Sequence, residues 1–214
     1  MSWRRPDHDE RKRGYHHGNL REALVDAAMA LIGERGPEGV TLAEAARMAG
    51  VSTAAPYRHF KDRDALMAEV AKRGFSRFAD RIRAARHPDG ADAVESLMGI
   101  GRAYIGFARS EPALYSAMFE GGVSPATDGE LRREADRAFE ILLSACERIR
   151  NTLPEDTRAP ALMMALHIWS LSHGVASLFA RGDRGRRAIP VPPEDLLEAG
   201  TLIYLRGLGY EPGK

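Results

Sequence analysis

The sequence predicts an all-α chain, with three short helices near the N-terminus followed by a larger body of longer ones. Three observations predict it. Beyond residue 18, apolar residues recur at spacings of three and four, the repeat of a helix face, and no segment shows a convincing strand alternation. Ser, Thr, Asn and Asp stand where helices would begin, and Gly and Pro where they would stop. A composition of 44% hydrophobic and 29% charged residues over 214 positions suits one or two compact soluble domains.

Asn19 with Glu22 resembles a helix cap and its acidic partner, and Leu20, Leu24, Ala27, Ala28 and Leu31 then share one face until Gly36-Pro37. Thr41-Leu42-Ala43-Glu44 is a fuller capping box, opening a short helix to Met48, and Gly50 permits a sharp turn. Ser52 is placed to cap a third, very short helix running to about Phe60, with Pro56 early enough for its missing N–H to cost little. Lys61-Asp62-Arg63-Asp64 opens a longer fourth helix carrying Leu66, Met67, Val70, Phe75, Phe78 and Ile82 and closing at His87-Pro88-Asp89-Gly90. Further helices are expected near 91–108, 111–119, 128–151, 157–181 and 194–207, with an irregular Arg- and Pro-rich loop over 182–193. This divides the chain into an arm (1–18), a small helical domain (19–66) and a helical body (67–214).

Several classes are excluded or disfavoured. Cys146 is the only cysteine, so no internal disulfide and no multi-cysteine zinc site can form. No run of about 18 uninterrupted apolar residues suggests a membrane span, and the charged N-terminus does not read as a signal peptide; a cytoplasmic protein is expected. With 31 Lys plus Arg against 30 Asp plus Glu, bulk charge nominates no partner. The denser local feature is Arg11-Lys12-Arg13, followed by His16-His17.

The two short helices joined by Ala49-Gly50-Val51 form a helix-turn-helix candidate, a geometry in which the second helix enters a DNA major groove. The residue string is more specific than the geometry. Thr41 through Ser52, continuing through Pro56-Tyr57-Arg58-His59-Phe60-Lys61 to Leu66, closely resembles the DNA-binding domain of the tetracycline-repressor (TetR) family. That resemblance implies a homodimer that binds an operator in double-stranded DNA, with a variable helical body that takes a small effector. It implies backbone-phosphate roles for Thr41, Tyr57, His59 and Lys61, and base reading by Thr53, Ala54 and Ala55 beside Ser52. Small side chains read bases weakly, so discrimination is expected to lean on Arg58, on DNA shape, or on the arm residues Arg11, Lys12 and Arg13 in a minor groove. Phe60 is expected in the core.

In the body, the segment 161–181 is apolar nearly all round, and 194–207 has the same character. Pairing the two helices with their copies in a four-helix interface is the economical way to cover them, so a charge at Leu197 or Ile203 is expected to break a dimer. Trp169-Ser170-Leu171-Ser172-His173-Gly174 resembles the Trp-x-x-x-His-Gly stretch of one branch of TetR effector domains. Trp169 and His173, one turn apart, are candidates for a pocket with Tyr104, Phe107, Tyr115, Met118 and Phe119; ordinary core packing is the competing reading. His167 and His173 face different ways, no catalytic or cofactor motif is present, and no cofactor, metal site or enzymatic activity is expected. The expected function is a DNA-binding transcriptional regulator, a repressor released by a small molecule. The alternatives are a constitutive DNA-binding protein, or a helical small-molecule-binding protein or enzyme.

Overall fold

A computed structural model describes residues 20–86, 92–180 and 189–211. All regular structure among the described residues is helical: α1 (Leu20–Arg35), α2 (Leu42–Met48), α3 (Arg63–Ala85), α4 (Ala93–Ser110), α5 (Pro112–Glu120), α6 (Gly129–Arg150), α7 (Ala161–Ala180) and α8 (Pro193–Gly207), with short 3₁₀ turns between. The arm, including Arg11, Lys12 and Arg13, and most of the Arg-rich loop lie outside the described residues.

α1 buries the face its spacing predicts, through Leu24, Ala28 and Leu31, and stops where Gly36 takes a φ of 79°, a conformation open to glycine at little cost. Arg63, at the start of α3, ties down the link that follows: its Nη2 donates to the Pro37 carbonyl at 2.7 Å and its Nε to that of Val40 at 3.1 Å. Asp62 caps α3, accepting from the Ala65 amide at 2.8 Å.

The third helix expected over 52–60 does not form. Only Ala55–Arg58 is helical, as one 3₁₀ turn, and Ala54 rather than Ser52 stands at its cap position without a side-chain bond. Proline explains it. An α-turn would send the amide of residue 56 to the Ser52 carbonyl; Pro56 has no amide hydrogen, and Ala55 takes that carbonyl instead at 3.0 Å. The amides of His59 and Phe60 both reach the Pro56 carbonyl at 2.9 Å, closing the segment. Phe60 is in the core, as expected.

α3 is the spine. Its N-terminal half packs on α1, and along its length it touches α4, α5 and α6. At Gly74 the approach of α5 is so close that a Cβ would lie 2.8 Å from the Met118 Sδ. α7 is long and apolar enough to cross a membrane by length and composition, yet it packs along α4, α6 and α8, burying Met164, Ala165, Ile168, Val175 and Ala176. It begins at Ala161, later than expected, because Pro160 follows a separate 3₁₀ turn at Glu155–Thr157.

Candidate nucleic-acid interface and interior cavity

At the N-terminal head, the Thr41 hydroxyl accepts from the Glu44 amide at 3.1 Å. The reciprocal half of the expected capping box is replaced by ion pairs, since the Glu44 carboxylate faces Arg35 at 3.0 Å and Arg47 at 3.8 Å. Ser52, Thr53, Ala54, Tyr57, Arg58, His59 and Lys61 are all exposed, arranged around the buried Pro56 and Phe60 that anchor the segment from beneath. Tyr57 is 64% exposed, a large aromatic side chain with no core to fill. The 3₁₀ turn and its flanks therefore leave hydroxyl, methyl and cationic groups open to solvent.

A cavity of about 470 Å³ lies among α3, α4, α5, α6 and α7 and opens to solvent beside Asp136. Tyr104, Met118, Phe119 and Trp169 line it, as the sequence suggested. Phe107, Tyr115 and His173 stand outside its lining: Phe107 is buried against Phe78, while His173 Nδ1 lies 2.8 Å from the Tyr115 hydroxyl and 3.2 Å from that of Tyr104. Phe119 packs edge-on to the His173 ring at 4.8 Å. Burial holds the His173 imidazole below its ordinary pKa against the opposing pull of Glu120, so the ring is neutral at pH 7. Burial likewise drives the Tyr104 phenol upward, helped by Tyr115.

Sequence reasoning missed two walls. Phe75, Phe78 and Ile82 of α3 form one, and Ala138, Phe139 and Leu142 of α6 the other. The length of the α3 stripe was a usable signal, because it extends well past what the small N-terminal unit can cover.

On the far side of α7 and α8, Leu162, Met163, Leu178 and Ile203 are exposed, Ile203 to 71%. Leu197 is not among them. It is 4% exposed and faces α4, where its Cδ2 would lie 3.1 Å from a Cβ on Gly101, so a charge there would disrupt the protomer itself.

Comparison with known proteins bears on both halves of the chain. Residues 24–70 match the family described as bacterial regulatory proteins, tetR family, and residues 97–202 match the tetracyclin repressor-like C-terminal domain. The chain belongs to the TetR family. It is a DNA-binding transcriptional regulator. YobS, an uncharacterized HTH-type transcriptional regulator of Bacillus subtilis, is 28% identical over 89% of this chain and 93% of its own. A protein of unknown function from Rhodococcus sp. RHA1 has a similar structure, with a TM-score of 0.75, 26% identity, and coverage of 93% of this chain and 100% of that one. The fold also resembles AibR, solved in complex with isovaleryl coenzyme A and operator DNA, with a TM-score of 0.66, 18% identity, and coverage of 86% and 96%.

In this TetR-family chain the head and the body are joined by ions as well as by α3. Glu69 of α3 meets Arg21 of α1 at 2.7 Å and Lys72 at 2.7 Å, and Lys72 reaches Glu130 of α6 at 2.8 Å. Burial works to raise the Glu69 carboxyl, but Arg21 and Lys72 outweigh it and hold the group at about 2. Arg73 pairs with Glu22 and Asp26 of α1, and Arg137 of α6 binds Asp80 at 2.8 Å and the Ser76 carbonyl at 2.9 Å. No group of three metal-ligating side chains occurs among the described residues. Cys146 is fully buried, and burial pushes its thiol up to about 12, far from a reactive thiolate.

Proposed function

We propose that the protein is a cytoplasmic homodimeric repressor that leaves a palindromic operator when a small molecule enters the interior cavity, and that it acts by binding alone, without catalysis. The observation that carries this reading is the double duty of α3, whose first half packs on α1 while Phe75, Phe78 and Ile82 of its later part line the cavity. A guest that fits better with α3 displaced favours a dimer with wrongly spaced heads, and linkage requires operator to weaken guest binding by the same factor. Thr41, Tyr57, His59 and Lys61 would grip phosphates, with Ser52, Thr53 and Ala54 at base edges beside Arg58. The exposed Leu162, Met163, Leu178 and Ile203 mark the face that a second copy would cover, and Gly174, with nothing within 4 Å of a Cβ, leaves room for a close helix crossing there. The Trp169-x-x-x-His173-Gly174 stretch would place the protein in the effector-domain branch that carries it.

Selection from a randomised duplex pool tests the reading. Enrichment of a palindrome with half-sites about one DNA turn, roughly 34–36 Å, apart supports it. Enrichment of a single, unrepeated half-site would defeat the dimer, and binding unaffected by every compound that stabilises the protein against heat would defeat ligand release.

A further inference from the structure

We propose that the interior cavity is built for an uncharged, ring-bearing apolar molecule with one hydrogen-bond acceptor, and that it rejects anions and cations alike. This names the chemistry of the effector and so rests on the effector reading above.

Among the described residues, the walls carry six aromatic side chains, Phe75, Phe78, Tyr104, Phe119, Phe139 and Trp169. They meet edge to face, Phe78 with Tyr104 at 5.1 Å and 88°, Phe75 with Phe119 at 5.7 Å and 76°, and Phe139 with Trp169 at 6.1 Å and 72°. Aromatic rings favour such offset and edge contacts, so a flat guest is received on the same terms as the walls receive one another. The volume falls within the range of about 300–1,000 Å³ typical of sites for drug-sized molecules.

Among the described residues, no Lys, Arg or His side chain lines the cavity. An anion drawn inside would lose its hydration and meet only neutral groups. The only charged lining residue among those described, Asp136, is 66% exposed and lies 3.6 Å from Arg132 one turn away, so its charge sits at the rim in water and is already answered. A cation within would have aromatic faces but no carboxylate at depth.

The polar end is specific. The Ser172 hydroxyl spends its proton on the Ile168 carbonyl at 2.8 Å. The Tyr104 and Tyr115 hydroxyls both face the single Nδ1 of His173, which takes part in one strong hydrogen bond at a time. Tyr115 holds the shorter contact, and Tyr104, with the longer one, is the tyrosine that lines the cavity. Tyr104 also hydrogen-bonds the Tyr115 hydroxyl and accepts from the Trp169 indole N–H, so an acceptor on the guest competes with Tyr115 and His173 for the Tyr104 proton, which burial keeps in place.

The test uses Prodan, a neutral naphthalene ketone whose emission reports polarity and hydrogen bonding at its carbonyl, with two close analogues: 6-dimethylamino-2-naphthoate as the anion and the N-methylated trimethylammonium derivative as the cation. Saturable Prodan binding is expected, one molecule per protomer, with both charged analogues at least about tenfold weaker in displacement. Ala135→Trp at the half-buried edge of the lining and Ala138→Phe within it should each abolish the signal. Tyr104→Phe, which keeps the ring, should weaken binding about fivefold to tenfold and shift the bound emission to the blue. Failure of Prodan to bind, a charged analogue within threefold of it, or a signal that survives both filling variants overturns the proposal. Prodan that fills the cavity without weakening binding to the selected duplex upholds the chemical class and defeats the effector reading. A charged analogue that fills the cavity and releases the duplex does the reverse.

Discussion

Glu69 is the point where head and body share one carboxylate, and its removal should be felt in a pH-dependent way. A carboxyl held at about 2 rather than 4.5 corresponds at the limit to about 3.4 kcal/mol of stability at pH 7. Arg21 is 43% exposed, so solvent screening reduces the net effect to about 1–2 kcal/mol. Glu69→Gln keeps the shape and removes the charge. Because the folded pKa is depressed, the contribution is present above the unfolded value and is lost as pH falls through the folded one. At pH 3.5 it should stand at about six-tenths of its pH 7 size, and it should fade further toward pH 2. Urea denaturation of both proteins at one fixed concentration, at pH 7 and pH 3.5 and again in high salt, measures it. A difference below about 0.3 kcal/mol at pH 7, or one that does not change with pH, would refute the assignment of the low pKa to Arg21 and Lys72.

Three further predictions follow from the site geometry. His173 has a lowered folded pKa, so its stabilising effect is present above about 6.5 and is lost as pH falls toward the folded value; His173→Phe should flatten the thermal-stability profile between about pH 7.5 and 5. Ile203→Glu should leave the fold intact and abolish the dimer by sedimentation, whereas Leu197→Glu, at a buried position, should cost about 3–5 kcal/mol of stability or prevent folding. Lys61→Ala should weaken DNA binding across all sequences and lower the salt slope by about 1, while Thr53→Ala relaxes one base position; a changed site preference in Lys61→Ala would reverse the roles.

Helix boundaries were legible wherever a side chain or a proline decides them locally. Thr41 caps its helix as expected, and the helices expected to open at 61–64 and near 111 begin at Arg63 and Pro112, because a cap or a missing amide acts within one turn. Pro56 acts through the same chemistry, but the α-turn it would sit in needs an amide at position 56 for the Ser52 carbonyl. The cavity was legible only in part. A stripe of Phe75, Phe78 and Ile82 says that a surface is covered and is silent on whether a helix or a guest covers it. The Tyr104 and Tyr115 contacts to His173 span 69 and 58 positions, and no local spacing encodes them. Leu197 illustrates the limit from the other side: apolar on an apolar helix, it turned inward to α4 rather than outward to a second copy.

The buried thiol has a practical consequence. Cys146 is the chain's only cysteine and has no solvent exposure, so a thiol-reactive reagent has one target and cannot reach it while the middle of α6 stays packed. The rate of labelling then counts the openings of that helix in the unmodified protein. Compared with and without Prodan or operator duplex, that clock reports whether each partner tightens or loosens the helix, with no engineered probe to perturb the answer.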